Sequence, residues 1–192
     1  MYKRQTCNSG AAPGFTDTAG NNTLNLSGSG SLNGDVTLGA GNDLVDINGA
    51  TAAINGMLHQ GDGANTFRLT LGAVTGSITQ GDGVDLVQIN GGHAGAIIQG
   101  GGIDSFVMRD GTVESLAQGD GHDTFVMSGG TIKGAFEDGD QALMTGGTIG
   151  RVDMKLDNNV FDTRGGTIVG NLVTGLGRDT ILVSVSYTHL RA

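Results

Sequence analysis

The sequence contains no tryptophan, a single cysteine (Cys7), a single proline (Pro13), and only 10 Lys and Arg against 19 Asp and Glu. One cysteine excludes an internal disulfide framework. A formal net charge of −9 excludes nucleic-acid binding through phosphate contacts, which needs clustered Lys and Arg. No apolar run approaches the ~18 residues that a membrane helix requires, so this segment is not expected to insert as one. Glu114 and Glu137 are the only glutamates, and neither a Ser-His-Asp set nor a pair of catalytic carboxylates can be assigned from spacing. His59, His93 and His122 lie far apart without ligand spacing, and are read as solvated loop residues rather than zinc ligands. No catalytic, metal-ligating or cofactor-binding residue is therefore assigned, and an enzyme is not expected. What the chain has in excess is glycine, with 37 residues.

The two ends differ from the middle. One reverse translation of Met1 to Gln5 has a reverse complement that encodes Val185 to Thr188. The termini are thus consistent with an inverted repeat in DNA and resemble translated sequencing-adapter sequence. Residues 1–5 and 185–192 are set aside as non-native on this reading, and the chain is expected to be an internal fragment of a longer protein. Lys3, Arg4 and Arg191 leave with them, so Lys plus Arg falls from 10 to 7 and the net charge becomes 7 − 19 = −12. Residues 6–19, including Cys7, carry no repeat and are expected to form an irregular lead-in.

From residue 20 to 184 the chain repeats itself. With the final Asp of GDGHD (119–123) as anchor, equivalents fall at Asn22, Asp43, Asn65, Asp85, Asp104, Asp123, Asn159 and Asp179, in steps of 21, 22, 20, 19, 19, 36 and 20 residues. The long step holds one further repeat, EDGDQALMTGGT, whose anchor is ambiguous. Nine coils of about twenty residues result, and self-similarity at that period signals a solenoid.

Within each repeat the apolar period is two. Leu24, Val45, Phe67, Val87, Phe106, Phe125, Phe161 and Ile181 stand two residues after the anchors. Leu26, Ile47, Leu69, Ile89, Met108, Met127, Thr163 and Val183 stand four after, with Thr163 the one polar exception. Alternation places both columns on one face of a short strand, and they are read as core rather than as a cofactor pocket. A paired-glycine turn follows, SGGT (128–131), TGGT (145–148) and RGGT (164–167), and then a second short strand carrying Gly-x-apolar, as in GML (56–58), GSI (76–78) and GAF (134–136). Two such strands cannot bury a face alone but can when coils stack. Glycine within every ten residues, at ~1 kcal/mol each in a helix interior, excludes helical alternatives. The expected fold is all-β, a single-stranded right-handed parallel β-helix of about nine coils, roughly 43 Å long at ~4.8 Å per coil.

GDGHDTFVMSGGTIKG (119–134) and its weaker copies QGDGVDLVQINGG (80–92) and GAGNDLVDINGA (39–50) resemble the glycine-rich repeat region of autotransporter passenger domains, the secreted part of type V secretion proteins of Gram-negative bacteria. The resemblance implies export to the extracellular space or the bacterial cell surface, held at the outer membrane in the full-length protein. It implies a rod acting as a stalk or adhesin toward an unknown surface or host ligand. A truncated rod of this kind exposes unpaired strand edges and is expected to self-associate end to end.

The acidic corners admit an alternative. Stacking brings Asp62, Asp82, Asp120 and the anchors to one edge, and GGGID (100–104) is close to the calcium-binding RTX nonapeptide, so a calcium-binding β-roll of a secreted protein is the second reading. Three departures oppose it: Gln60, Gln80 and Gln118 occupy the first glycine position, Asn replaces Asp at 22, 65 and 159, and one corner per coil carries the motif. The reading preferred is an Asx turn, in which the side chain bonds its own corner's backbone and Asn serves as well as Asp. A polysaccharide-acting β-helix enzyme is a third, more remote possibility, since such enzymes wall their clefts with long insertions and these coils have none.

Overall fold

A strand with apolar side chains on one face and a turn every few residues has only its own next copy to pair with. The structure, a computed structural model that describes residues 3–184, is built that way throughout. It is all-β, a parallel solenoid in which each coil hydrogen-bonds to the next. One sheet has ten rungs: Lys3–Cys7, Asn22–Leu26, Leu44–Ile47, Thr66–Leu69, Leu86–Ile89, Ser105–Met108, Thr124–Met127, Gln141–Met144, Val160–Thr163 and Thr180–Val183. Every neighbouring pair is parallel, and the register joins Leu24, Val45, Phe67, Val87, Phe106, Phe125, Ala142 and Phe161 in one line. Leu26, Ile47, Leu69, Ile89, Met108, Met127 and Met144 form the second line. Both lines face inward and are buried along their length.

The facing sheet contains twelve short strands. Its expected column runs Val36, Leu58, Ile78, Ile97, Leu116, Phe136 and Val152. A further column escaped the sequence pattern: Leu32, Ile54, Val74, Ala94, Val113, Ile132 and Ile149 stack in register and are buried. The Thr-Ile after two paired-glycine turns, 131–132 and 148–149, signalled two of its members. The register shifts between these two columns, between Val113 and Leu116 in one pair and between Ile132 and Ala135 in the next. Each coil therefore contributes four positions to the aligned apolar columns, two per sheet.

The coil count and the lead-in need correction. Residues 6–19 are not irregular: Lys3–Cys7 pairs with Asn22–Leu26, and Ala11–Ala19 pairs with Ser31–Ala40, making a complete tenth coil. Ala12 stands opposite Leu32 and Phe15 opposite Val36, so the same two columns begin here. Pro13 is admitted because this strand has a partner on one side only, where a missing N–H leaves no ladder bond unmade. Residues 185–192, read from sequence as non-native, lie outside the described residues.

The paired-glycine turns use their two glycines for different reasons. The second of each pair, Gly130, Gly147 and Gly166, has φ of 81°, 90° and 93°, which an L side chain adopts only at a cost. A Cβ on the first, Gly129, Gly146 or Gly165, would stand 2.3, 2.5 and 2.6 Å from a carbonyl oxygen of the coil before. Stacking, not local conformation, forbids a side chain there.

Where the short coil places Ala142 in the large-residue column, Phe136 from the facing sheet stacks on Phe125, with centroids 4.1 Å apart and ring planes at 19°. Phe106 stacks on the other side of Phe125 at 5.6 Å, its ring plane 2° from parallel. Phe125→Ala is expected to cost about 3–5 kcal/mol by cavity formation between these two rings, read by chemical denaturation, and Phe125→Leu well under half of that.

Candidate functional site

The corner that precedes each rung of the first sheet is where polar groups concentrate. The anchor residues Asn22, Asp43, Asn65, Asp85, Asp104, Asp123, Asp140 and Asn159 are all buried. In the short repeat the anchor is Asp140. The side chains of Asp43, Asn65, Asp85, Asp104, Asp123 and Asp140 bond along the column. The backbone N–H of Asn22 donates to Asp43 Oδ1 at 2.6 Å, that of Asn65 to Asp85 Oδ1 at 2.7 Å, that of Asp85 to Asp104 Oδ1 at 2.8 Å, and that of Asp104 to Asp123 Oδ1 at 2.7 Å. The Asp43 N–H donates to Asn65 Oδ1 and the Asp123 N–H to Asp140 Oδ2. Each of these six side chains thus reaches back one coil, 17 to 22 residues earlier, while the Oδ1 atoms of Asn22 and Asn159 have no hydrogen-bond partner. The expected Asx turn is present only in part. The asparagines also serve their own corner, Asn65 Nδ2 donating to Gly61 O at 2.8 Å and Gly63 O at 3.4 Å.

Beside this column runs a second, made of glutamines. Gln60, Gln80, Gln99 and Gln118 are buried. Gln80 Nε2 donates to Gln60 Oε1, Gln99 Nε2 to Gln80 Oε1 and Gln118 Nε2 to Gln99 Oε1, at 3.2, 3.5 and 3.2 Å. Remaining amide hydrogens reach backbone carbonyls of the following rung, Thr66, Ser105 and Thr124. In the sequence Gln60, Gln80 and Gln118 register only as departures from a glycine motif, and Gln99 does not register at all. Their role could be found there only by asking what a buried amide bonds to when its copy lies directly above it.

Asp62, Asp82 and Asp120 point outward and are exposed. Asp82–Gly83, Gly101–Gly102 and Asp120–Gly121 form a three-stranded ladder at the corner, and Asp62 Oδ1 accepts from the Asp82 N–H at 3.0 Å. His59 Nδ1 bonds Thr79 Oγ1 at 2.6 Å, and His93 Nε2 lies 3.6 Å from Glu114 Oε1, itself paired with Lys133. Among the described residues no three or more His, Cys, Asp or Glu side chains gather in a metal-ligating group. Cys7 is a free thiol.

The outward corner ladder stops at Gly121 because the next coil is shorter. Asp123 and Asp140 are 17 residues apart, against 19 between Asp104 and Asp123. A cavity of about 230 Å³ opens there, between Gly119–Gly121 on one side and Lys155–Asp157 on the other, with Asp138 and Asp140 in its wall. Among the described residues the three non-glycine residues with positive φ all line it: Asp138 at 59°, Lys155 at 58° and Asp157 at 74°. In the next coil the matching positions are glycine. A Cβ on Gly175 would stand 1.6 Å from Lys155 O, and one on Gly177 would stand 1.7 Å from Asp157 O. Where a full coil lies beneath, only glycine fits; over the shortened coil the space is open, and side chains occupy it.

Lys155 uses that space to reach Glu137 at 3.2 Å and Asp138 at 3.3 Å. Partial burial pulls its ammonium down, but these acids more than offset that and hold it above its ordinary value. Burial likewise pushes Glu137 up, yet Lys155 and Arg151 hold it below the usual carboxylate range. Lys155 thus offsets only part of a wall that also carries Asp120, Asp138, Asp140 and Asp157, and the cavity keeps an excess of acidic groups.

Asp157→Gly is expected to leave stability unchanged or raise it by about 1 kcal/mol, because it removes a left-handed residue. Gly121→Ala, whose Cβ would meet Gly102 O at 1.7 Å, is expected to cost more than about 3 kcal/mol. Paired urea melts of the two variants check the contrast; equal effects would mean that coil spacing, not side-chain room, decides where glycine stands.

No family model matches this chain, and neither a curated protein nor a solved structure matches it significantly.

Proposed function

We propose that the chain is a structural and interaction module, a β-solenoid rod of the kind displayed by autotransporter passengers at a bacterial surface. The observation that carries this reading is the uniform stack: coils of 17 to 22 residues, each closed by its own short turns, with polar bonding running along the rod axis. Such a chain gains length per residue and offers an extended side surface, which suits a stalk or adhesin more than a pocket-based catalyst. The resemblance of GDGHDTFVMSGGTIKG to passenger repeats supports the surface location.

In the tenth rung, Ile181 and Val183 continue the two inward columns yet are 47% and 64% exposed. We propose that this open edge and its apolar face are covered by a second copy of the chain, giving end-to-end self-association.

The test is adhesion and assembly on the purified chain. Beads coated with it should be retained by host cells or abiotic surfaces above beads coated with an unrelated acidic solenoid, and retention equal to that control would sink the adhesin role. Light scattering across concentration should show apparent mass rising, and Val183→Lys should suppress the rise. A constant monomer mass would remove the end-to-end contact.

A further inference from the structure

The anchor column contains buried carboxyl groups whose second oxygen bonds nothing. Asp43, Asp85, Asp104 and Asp123 are each 1% exposed or less. Their Oδ1 atoms accept the backbone N–H of the preceding coil's anchor, while their Oδ2 atoms have no hydrogen-bond partner. A buried carboxylate oxygen left unbonded is strongly disfavoured.

The asparagines in the same column reveal what that position requires. Asn65 occupies the equivalent place with the same Oδ1 bond, accepting from Asp43 N–H. Its other atom, Nδ2, donates to the carbonyls of Gly61 and Gly63. Asn22 Nδ2 donates to Asp17 O and Gly20 O, and Asn159 Nδ2 to Met154 O and Leu156 O. The site wants a donor. By the repeat, the corresponding carbonyls are Gly81 and Gly83 for Asp85, Gly100 and Gly102 for Asp104, and Gly119 and Gly121 for Asp123. A carboxylate facing carbonyls repels them; a carboxylic acid reproduces the asparagine's bonds with an O–H in place of an N–H.

We propose that Asp85, Asp104 and Asp123 stand in the folded rod as neutral carboxylic acids, their Oδ2 protons doing the work of the asparagine amide hydrogens, so that the solenoid is an acid-stabilised structure.

Burial is the main cause acting on all four groups and pushes each above the ordinary carboxylate range, Asp85 to about 7 and Asp123 to about 6. The bonds to the preceding anchor's N–H oppose it, as do the side chains of Asn22 toward Asp43 and Asn65 toward Asp85. The charged neighbours are chiefly acids, which add to the rise: Asp104 and Asp62 act on Asp85, Asp104 and Asp140 on Asp123, and Asp17 on Asp43. His122 acts on Asp123 in the opposite sense. Asp104 has Asp85 and Asp123 in the adjoining coils.

The sign follows from linkage. An unfolded Asp titrates near ~3.9, below these folded values, so between about pH 4 and 7 the folded chain holds more protons than the unfolded one. Stability from these groups is complete below the unfolded value and is lost as pH rises through the folded values. The column thus favours the rod in mild acid.

The experiment uses the whole chain in EDTA, melted by circular dichroism at pH 5.5 and pH 8. The melting temperature should be higher at pH 5.5. General charge repulsion would give the same trend, so Asp85→Asn and Asp123→Asn are compared with Asp82→Asn, which removes an equal charge from the exposed corner. The buried substitutions should raise the pH 8 melting temperature by roughly 2–4 °C or more each and flatten the pH dependence, whereas Asp82→Asn should leave that dependence as it was. Buried variants that melt lower at pH 8, fail to fold, or keep the wild-type slope would overturn the proposal. Infrared spectra of the wild type give an independent readout: a protonated-carboxyl band at pH 5.5 that fades by pH 8 is expected, and its absence overturns it. Millimolar Ca²⁺ provides the last arm. A rise in the wild-type melting temperature at pH 8 that Asp85→Asn abolishes would mean that the column holds a cation rather than protons.

Discussion

Everything in this molecule follows from parallel pairing of each coil with a near-copy of itself at one strand spacing, ~4.8 Å. That distance leaves no room for anything between backbones except hydrogen bonds. Side chains must therefore lie inward, outward or along the axis, and any residue whose Cβ would point at the coil before has to be glycine. Gly102 and Gly175, whose added Cβ atoms would each stand 1.6 Å from a carbonyl oxygen of the coil before, show the constraint at its tightest. The high glycine content is thus a record of close approach as much as of turning.

The same constraint turns single polar residues into ladders. A buried amide or carboxyl cannot be solvated and meets chiefly its own copy and the backbone of the adjoining corners. Glutamine solves this by pairing amide to amide through four coils. The anchors solve it by capping the N–H one coil back. Asn65 completes the bonds of both its amide atoms unaided; an aspartate needs a proton to do the same. The interchange of Asn and Asp along one column is therefore more than tolerance at a turn, because the two residues differ in the single atom that faces the carbonyls.

The shortened coil at Glu137–Gln141 departs locally from the pattern and exposes its logic. Removing the outward corner from one coil lets the next one carry Lys155 and Asp157 where glycine otherwise stands, and the freed space fills with an ion-pair cluster. Within the core the adjustment is equally local: Ala142 is compensated by Phe136 stacking on Phe125. Nearest-neighbour stacking accommodates an irregular coil without disturbing distant ones.

The sequence alone determined the solenoid, its period, the two columns of the first sheet and one column of the second, since period-two alternation repeated in register has few other solutions. Five features were decided only by tertiary structure. The first coil escaped because Ala11–Ala19 carries no repeat motif, and an edge strand with Pro13 becomes a strand by pairing with Ser31–Ala40. The column from Leu32 to Ile149 escaped because its members follow glycine turns of varying length, and only stacking aligns them. Asp140 became identifiable as an anchor through its bond to Asp123 N–H. The glutamine ladder and the unbonded carboxyl oxygens were beyond reach for one reason: their partners lie a whole coil away in sequence, and the bonding of a buried polar atom depends on which coil lies against it.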